Sequence, residues 1–180
     1  MNWLRLLRQF AILSIFSGVW ADAAVPKGPL VVTPGKVSVA IHQGTVVGGK
    51  ARDEFSLIAV RLEPAGQAGG ERVSLMYGDR FGKPLNGEPG FFHVTVDRNS
   101  RRVVIDLAQM QMTAVGPERL AKTLATSKLV ASSEMTMDPI DGSTNITLQT
   151  KVPVTVKVGS IEGDSSRVYI EMMPASGERK

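Results

Sequence analysis

A chain of 180 residues with no cysteine, 43% hydrophobic residues and a net charge of +4 is long enough to bury one packed core. It can hold neither a disulfide nor a thiolate zinc site. The charge is mild and well mixed, which suits loose attraction to an anionic surface and is too weak to argue for nucleic acid.

The first 23 residues read as a signal peptide. Arg5 and Arg8 precede an uncharged run, Phe10–Trp20, and Ala21-Asp22-Ala23 puts small residues where a signal peptidase reads. The mature chain is expected to start at Ala24 or Val25, and cleavage before Ala24 leaves 157 residues with a net charge of +3. The apolar run has 11 residues, whereas a bilayer span needs roughly 20, so no transmembrane anchor is expected after cleavage. Without a cysteine the chain is not a lipoprotein. A cysteine-free exported domain fits the bacterial periplasm better than a disulfide-stapled secreted class. That compartment has no steady nucleotide or nicotinamide supply, which removes most cofactor-dependent enzymes.

Residues 24–35 carry Pro26, Pro29 and Pro34 and read as an extended leader. A single β-rich domain is expected over residues 36–173. Lys36–His42 alternates as a half-buried strand. Gly44–Lys50 reads as a glycine-rich hairpin turn. Glu54–Leu62 is a strand of ambiguous period, consistent with burial on both faces, and Arg72–Tyr77 alternates again. Gly78–Gly90 is a long irregular loop. Phe91–Val96 and Arg102–Leu107 form a hairpin through Asp97-Arg98-Asn99-Ser100.

Gly116-Pro117-Glu118 opens the one helix, expected over residues 117–128, with proline in its first turn and Leu120, Ala121, Leu124 and Ala125 as its apolar stripe. Val130–Met137, Thr144–Thr150, a four-valine ladder at Val152–Val158 and Arg167–Met172 return to strand patterning. Pro153 suggests an edge or a bulge for its strand, and residues 174–180 read as a flexible tail. About eight strands and one short helix describe an all-β fold, mainly an antiparallel sandwich or barrel.

Arg102-Val103-Val104-Ile105-Asp106-Leu107, the helix, a "pv.v.v" strand at Pro153–Val158 and Arg167-Val168-Tyr169-Ile170-Glu171-Met172 together resemble the amidase N-terminal (AMIN) domain of bacterial envelope proteins. The resemblance covers Phe91–Met172 and departs from the pattern at Glu171 and Met172. It implies a two-sheet β fold and a role in peptidoglycan binding or in placing envelope machinery.

Other constellations carry little chemistry. Gly44–Lys50 matches the glycines and lysine of a phosphate-binding loop, but Ala51 stands where a magnesium-holding Ser or Thr is required. His42 and His93 are the only histidines and lack ligand spacing. No metal, cofactor or catalytic residue is assigned, and the chain is not expected to be an enzyme. Arg98, Arg101 and Arg102, with Arg167 and Tyr169, are the candidate binding residues, because guanidinium groups meet carboxylates and phosphates and tyrosine stacks on sugars. The expected partner is peptidoglycan or an envelope protein, with the oligomeric state open. The alternatives are a lipocalin-like carrier, its apolar pocket lined by some of the many methionines, and a structural subunit of an envelope complex recruited by strand addition.

Overall fold

The computed structural model describes residues 29–32, 38–51, 55–66, 69–161 and 166–175; the stretch read as a signal peptide, with its expected cleavage site, lies outside them. In chain order the elements are β1 (Leu30–Val32), β2 (Val39–Ile41), β3 (Gly44–Gly48), β4 (Phe55–Pro64), β5 (Glu71–Gly78), β6 (Phe92–Asp97), β7 (Arg102–Leu107), β8 (Met110–Thr113), α1 (Pro117–Leu124), β9 (Val130–Met137), β10 (Thr144–Thr150), β11 (Val154–Ile161) and β12 (Arg167–Pro174). They make two six-stranded sheets, ordered β1-β3-β6-β7-β10-β9 and β2-β11-β12-β5-β4-β8. All pairings are antiparallel except β1 with β3 and β4 with β8.

Alternation along the strands makes the core. Val94, Ile105 and Leu148 from the first sheet and Leu75, Val156 and Ile170 from the second belong to one buried cluster. The intervening residues of β6, β7 and β10 are half-buried or exposed, as are those of β11 apart from Gly159, as the two-residue period of a one-side-wet strand requires. One flank is closed by α1, which packs on β9 of the first sheet and β4 of the second, burying Leu120 and Leu124. Full burial of such a side chain is worth about 1.5–3 kcal/mol.

The fold is all-β with one short helix, as the alternation implied, but it holds more strands than expected. Gly44–Gly48 is not a hairpin turn. It is β3, an inner strand paired with β1 and β6, and its glycines act at the strand ends, where Gly44 and Gly49 take φ of 111° and 81°. β1 lies within the stretch read as a leader and pairs in parallel with β3. β8 is a four-residue strand that crosses from the end of β7 to the other sheet.

The ambiguous period of β4 is a bulge between Leu57 and Ala59. It switches the buried set from Phe55 and Leu57 to Val60, which breaks a simple alternation. The helix ends at Leu124 rather than near Lys128, because residues 125–129 turn around Ser127. Pro153 marks neither an edge nor a bulge. It stands just before β11, which is paired on both sides, and its carbonyl accepts the Ala175 N–H at 2.9 Å. The sheets keep separate edges and their facing side chains fill the space between them, so the architecture is a sandwich and not a closed barrel.

A Cβ on Gly90 would stand 2.8 Å from Phe55 Cδ2 and 2.9 Å from Tyr77 Cε1, two buried rings in edge-to-face contact. Gly90→Ala should lower stability by about 1–3 kcal/mol in urea denaturation. Gly66→Ala, where nothing lies within 4 Å, should change it by no more than about 0.5 kcal/mol.

Candidate functional site: a basic end of the sandwich

Three turns meet at one end of the sandwich. The β6–β7 turn is shaped by Asp97, whose carboxylate accepts the N–H of Asn99 at 3.0 Å and the Ser100 hydroxyl at 2.6 Å. The Ser100 hydroxyl and backbone N–H hold the Asp97 carboxyl below the usual carboxylate range. Arg98 donates its backbone N–H to Gln43 Oε1 at 2.9 Å. Arg101 closes the turn at φ 54°. Its carbonyl accepts the Thr150 N–H at 2.8 Å, and its Nη1 donates to the Lys151 carbonyl at 3.1 Å. Lys151 in turn sends its Nζ to the Ser127 carbonyl at 2.8 Å and its N–H to Leu129 O at 2.8 Å.

The side chains of Arg98, Arg101, Arg102, Lys128 and Lys151 are exposed on these interlocked turns and the adjoining start of β7. Beside them Arg98, Val152, Pro153, Pro174 and Ala175 line a hollow of about 170 Å³. A guanidinium at an aliphatic hollow can pair with a carboxylate while the hollow takes a short apolar group.

Glu71 holds this end together from beneath. It is buried at the start of β5. Its carboxylate accepts the Ser127 hydroxyl at 2.5 Å and the backbone N–H of Lys128 at 2.7 Å and of Leu129 at 3.1 Å. Ser127 Oγ also accepts the Val130 N–H at 2.8 Å, so hydroxyl and carboxylate together take the donors left after α1. Burial pushes the Glu71 carboxyl pKa up. The Lys128 N–H, the Ser127 hydroxyl, the Leu129 N–H and the Lys128 charge outweigh that and leave it lowered. Glu71 was not among the residues singled out from the sequence. The available signal was its parity, since it shares the inward face of β5 with Val73, Leu75 and Tyr77.

Of the five expected binding residues, Arg98, Arg101 and Arg102 come together and Arg167 and Tyr169 do not join them. Arg167 opens β12, whereas Pro174 at its other end lines the hollow beside Arg98. Seven steps along a strand are about 23 Å. Tyr169 also lies on the other sheet, on its outer face, and its ring crosses Gly159 so closely that a Cβ there would collide with it. The Arg72 guanidinium lies 5.0 Å from the ring centroid. Arg72 is ion-paired with Glu171, and Lys157 Nζ lies 3.8 Å from the same carboxylate. The two cations share one carboxylate across three strands, and Tyr169, packed on Gly159 and beside Arg72, is engaged within the fold.

The phosphate-loop lookalike is strand rather than loop, and Lys50 donates its N–H to Pro89 O at 3.0 Å. His42 follows a strand of one sheet and His93 lies on a strand of the other. Among the described residues no group of three His, Asp or Glu side chains could hold a metal. A groove of about 540 Å³ lies between the end of β4, the start of β5 and Lys128. No family model matches the chain, and no curated protein matches it.

Because the Glu71 carboxyl is depressed in the folded state, its stabilisation is complete above the unfolded value near 4.5 and is lost as pH falls through the lower folded value. Glu71→Gln should cost about 1–3 kcal/mol at pH 7. It should also flatten the acid limb of the stability–pH curve measured by denaturation.

Proposed function

We propose that this protein is an exported, non-catalytic β-domain of the bacterial periplasm that binds peptidoglycan through its basic end. The observation that carries the reading is the group of five exposed cations, Arg98, Arg101, Arg102, Lys128 and Lys151, on turns fixed to one another by hydrogen bonds. Peptidoglycan presents carboxylates on short peptide stems, and cations on a preorganised backbone meet them with less ordering cost than cations on a mobile tail. The hollow beside Arg98, lined by Val152, Pro153, Pro174 and Ala175, offers aliphatic contact to a short apolar side chain of a stem peptide. The AMIN-like pattern, which contributes Arg102, supports the same reading.

A structural subunit recruited by strand addition is the second reading. It is favoured by β9, an eight-residue edge of the first sheet without proline, longer than the other three edge strands β1, β2 and β8.

Co-sedimentation with purified sacculi tests the first reading. At low ionic strength the exported protein should pellet. The triple variant Arg98→Glu, Arg102→Glu, Lys128→Glu should bind at least about tenfold more weakly, and added salt should release the wild type. A wild type that stays in the supernatant at low salt removes wall binding. A variant that pellets equally well removes the basic end as its site.

A further inference from the structure

The end opposite the basic turns carries a second kind of surface. Ile140 and Phe81 are the most exposed large hydrophobic side chains among the described residues, at 94% and 78%. The same device mounts both. Asp79 Oδ1 accepts the N–H of Phe81 at 2.9 Å, and Asp138 Oδ1 accepts the N–H of Ile140 at 2.8 Å. In each case an aspartate two residues upstream ties down the backbone and turns the apolar side chain outward.

Each turn is closed again by backbone bonds. Gly82 N–H donates to Asp79 O at 2.9 Å, and Gly142 N–H donates to Asp138 O at 3.0 Å. Both turns are fastened to adjoining parts of the fold. The Ser56 hydroxyl donates to Asp79 O at 2.6 Å. Phe55, next to Ser56, pairs with Met110, whose N–H donates to Gly142 O at 2.6 Å. A short, continuous path of bonded residues thus joins the two tips on one end of the sandwich. Met137 is exposed at the foot of the second turn.

An ordinary loop tip is polar. A rigid one that holds an aliphatic or aromatic group in water keeps an unfavourable exposure with no entropy gained from mobility. We propose that this end docks onto a lipid bilayer, with Phe81 and Ile140 entering below the headgroups. A membrane fits two separate convex tips better than a protein partner does, because a bilayer yields around each tip while a protein must offer two pockets at matching spacing. Charges of both signs border the tips. Arg80 lies over the Phe81 ring at 4.7 Å and Lys83 is exposed nearby, while Asp138 and Asp141 flank Ile140. Such a mixture suits a headgroup layer that carries both ammonium and phosphate. The proposal is independent of wall binding.

The absence of cysteine makes the test direct. Single Phe81→Cys, Ile140→Cys and Asn99→Cys variants of the whole chain are labelled with an environment-sensitive fluorophore. They are mixed with vesicles of phosphatidylethanolamine and a minority of phosphatidylglycerol. Emission should shift to the blue and brighten at positions 81 and 140 and stay constant at position 99, on the basic end. A chain held only by its N-terminal apolar segment would give no shift at 81 or 140. In unlabelled protein, Phe81→Ser with Ile140→Ser should lower the specific contribution to vesicle binding by roughly tenfold or more with unchanged thermal unfolding. No shift at 81 and 140, or an equal shift at 99, overturns the proposal.

Discussion

One buried carboxylate sets the conformation of the basic end. Glu71 begins a strand of the second sheet, yet its partners all belong to the turn that leads into the edge strand of the first. A carboxylate taken out of water is costly unless its oxygens are satisfied. Here three donors converge on it, two of them backbone N–H groups that follow the helix. The same contacts that stabilise the charge stop α1 at Leu124, start β9 and hold the two sheets together at this flank. From Ser127 the chain of bonds passes to Lys151, Arg101 and Thr150. The positions of the exposed cations therefore depend on an acid that none of them touches through its charged head.

On the second sheet Lys157, Glu171 and Arg72 pair across three neighbouring strands, and Tyr169 packs beside them. Both cations lean on the one Glu171 carboxylate, which ties the three strands together. The two ends of the sandwich present different groups: exposed cations at one, apolar tips at the other. Strands of six to eight residues separate them by about 20–25 Å. Loops at sandwich ends commonly carry recognition while the sheets supply rigidity, and here even the loops are stiffened, by Asp97, Asp79 and Asp138 in turn.

Alternation made the longer strands legible. The hairpin Phe92–Leu107 and β10 follow the two-residue period closely and β11 and β12 largely do, so fold class and most strand positions could be read directly; in β9 a register shift opposite Gln149 and Thr150 leaves the buried Val130 and Met135 five residues apart. Where the period failed, a physical cause intervened. The bulge at Leu57–Ala59 shifted the phase of β4. Glycines at positive φ terminate β3 rather than turn it. β1 and β8 have three and four residues, too few for a period to emerge, and are placed by parallel pairing with distant strands. Of the candidate site, the arginine triplet was visible because its members are sequence neighbours. Its separation from Arg167 and Tyr169 was not, because shared Arg-Val patterning says nothing about which sheet or which end a strand occupies. The role of Glu71 depends on partners more than 50 residues away.

Amide hydrogen exchange on the wild type and on Glu71→Gln addresses the central role of that carboxylate most directly. Loss of the charge should raise exchange together at Lys128, Leu129, Thr150 and Lys151, the amides bonded to Glu71 or linked to it through Ser127 and Arg101, while the amides of β6, β7 and β12 keep their protection. Unchanged protection at those four amides, or uniform loss across both sheets, would contradict the account that Glu71 specifically orders the basic end.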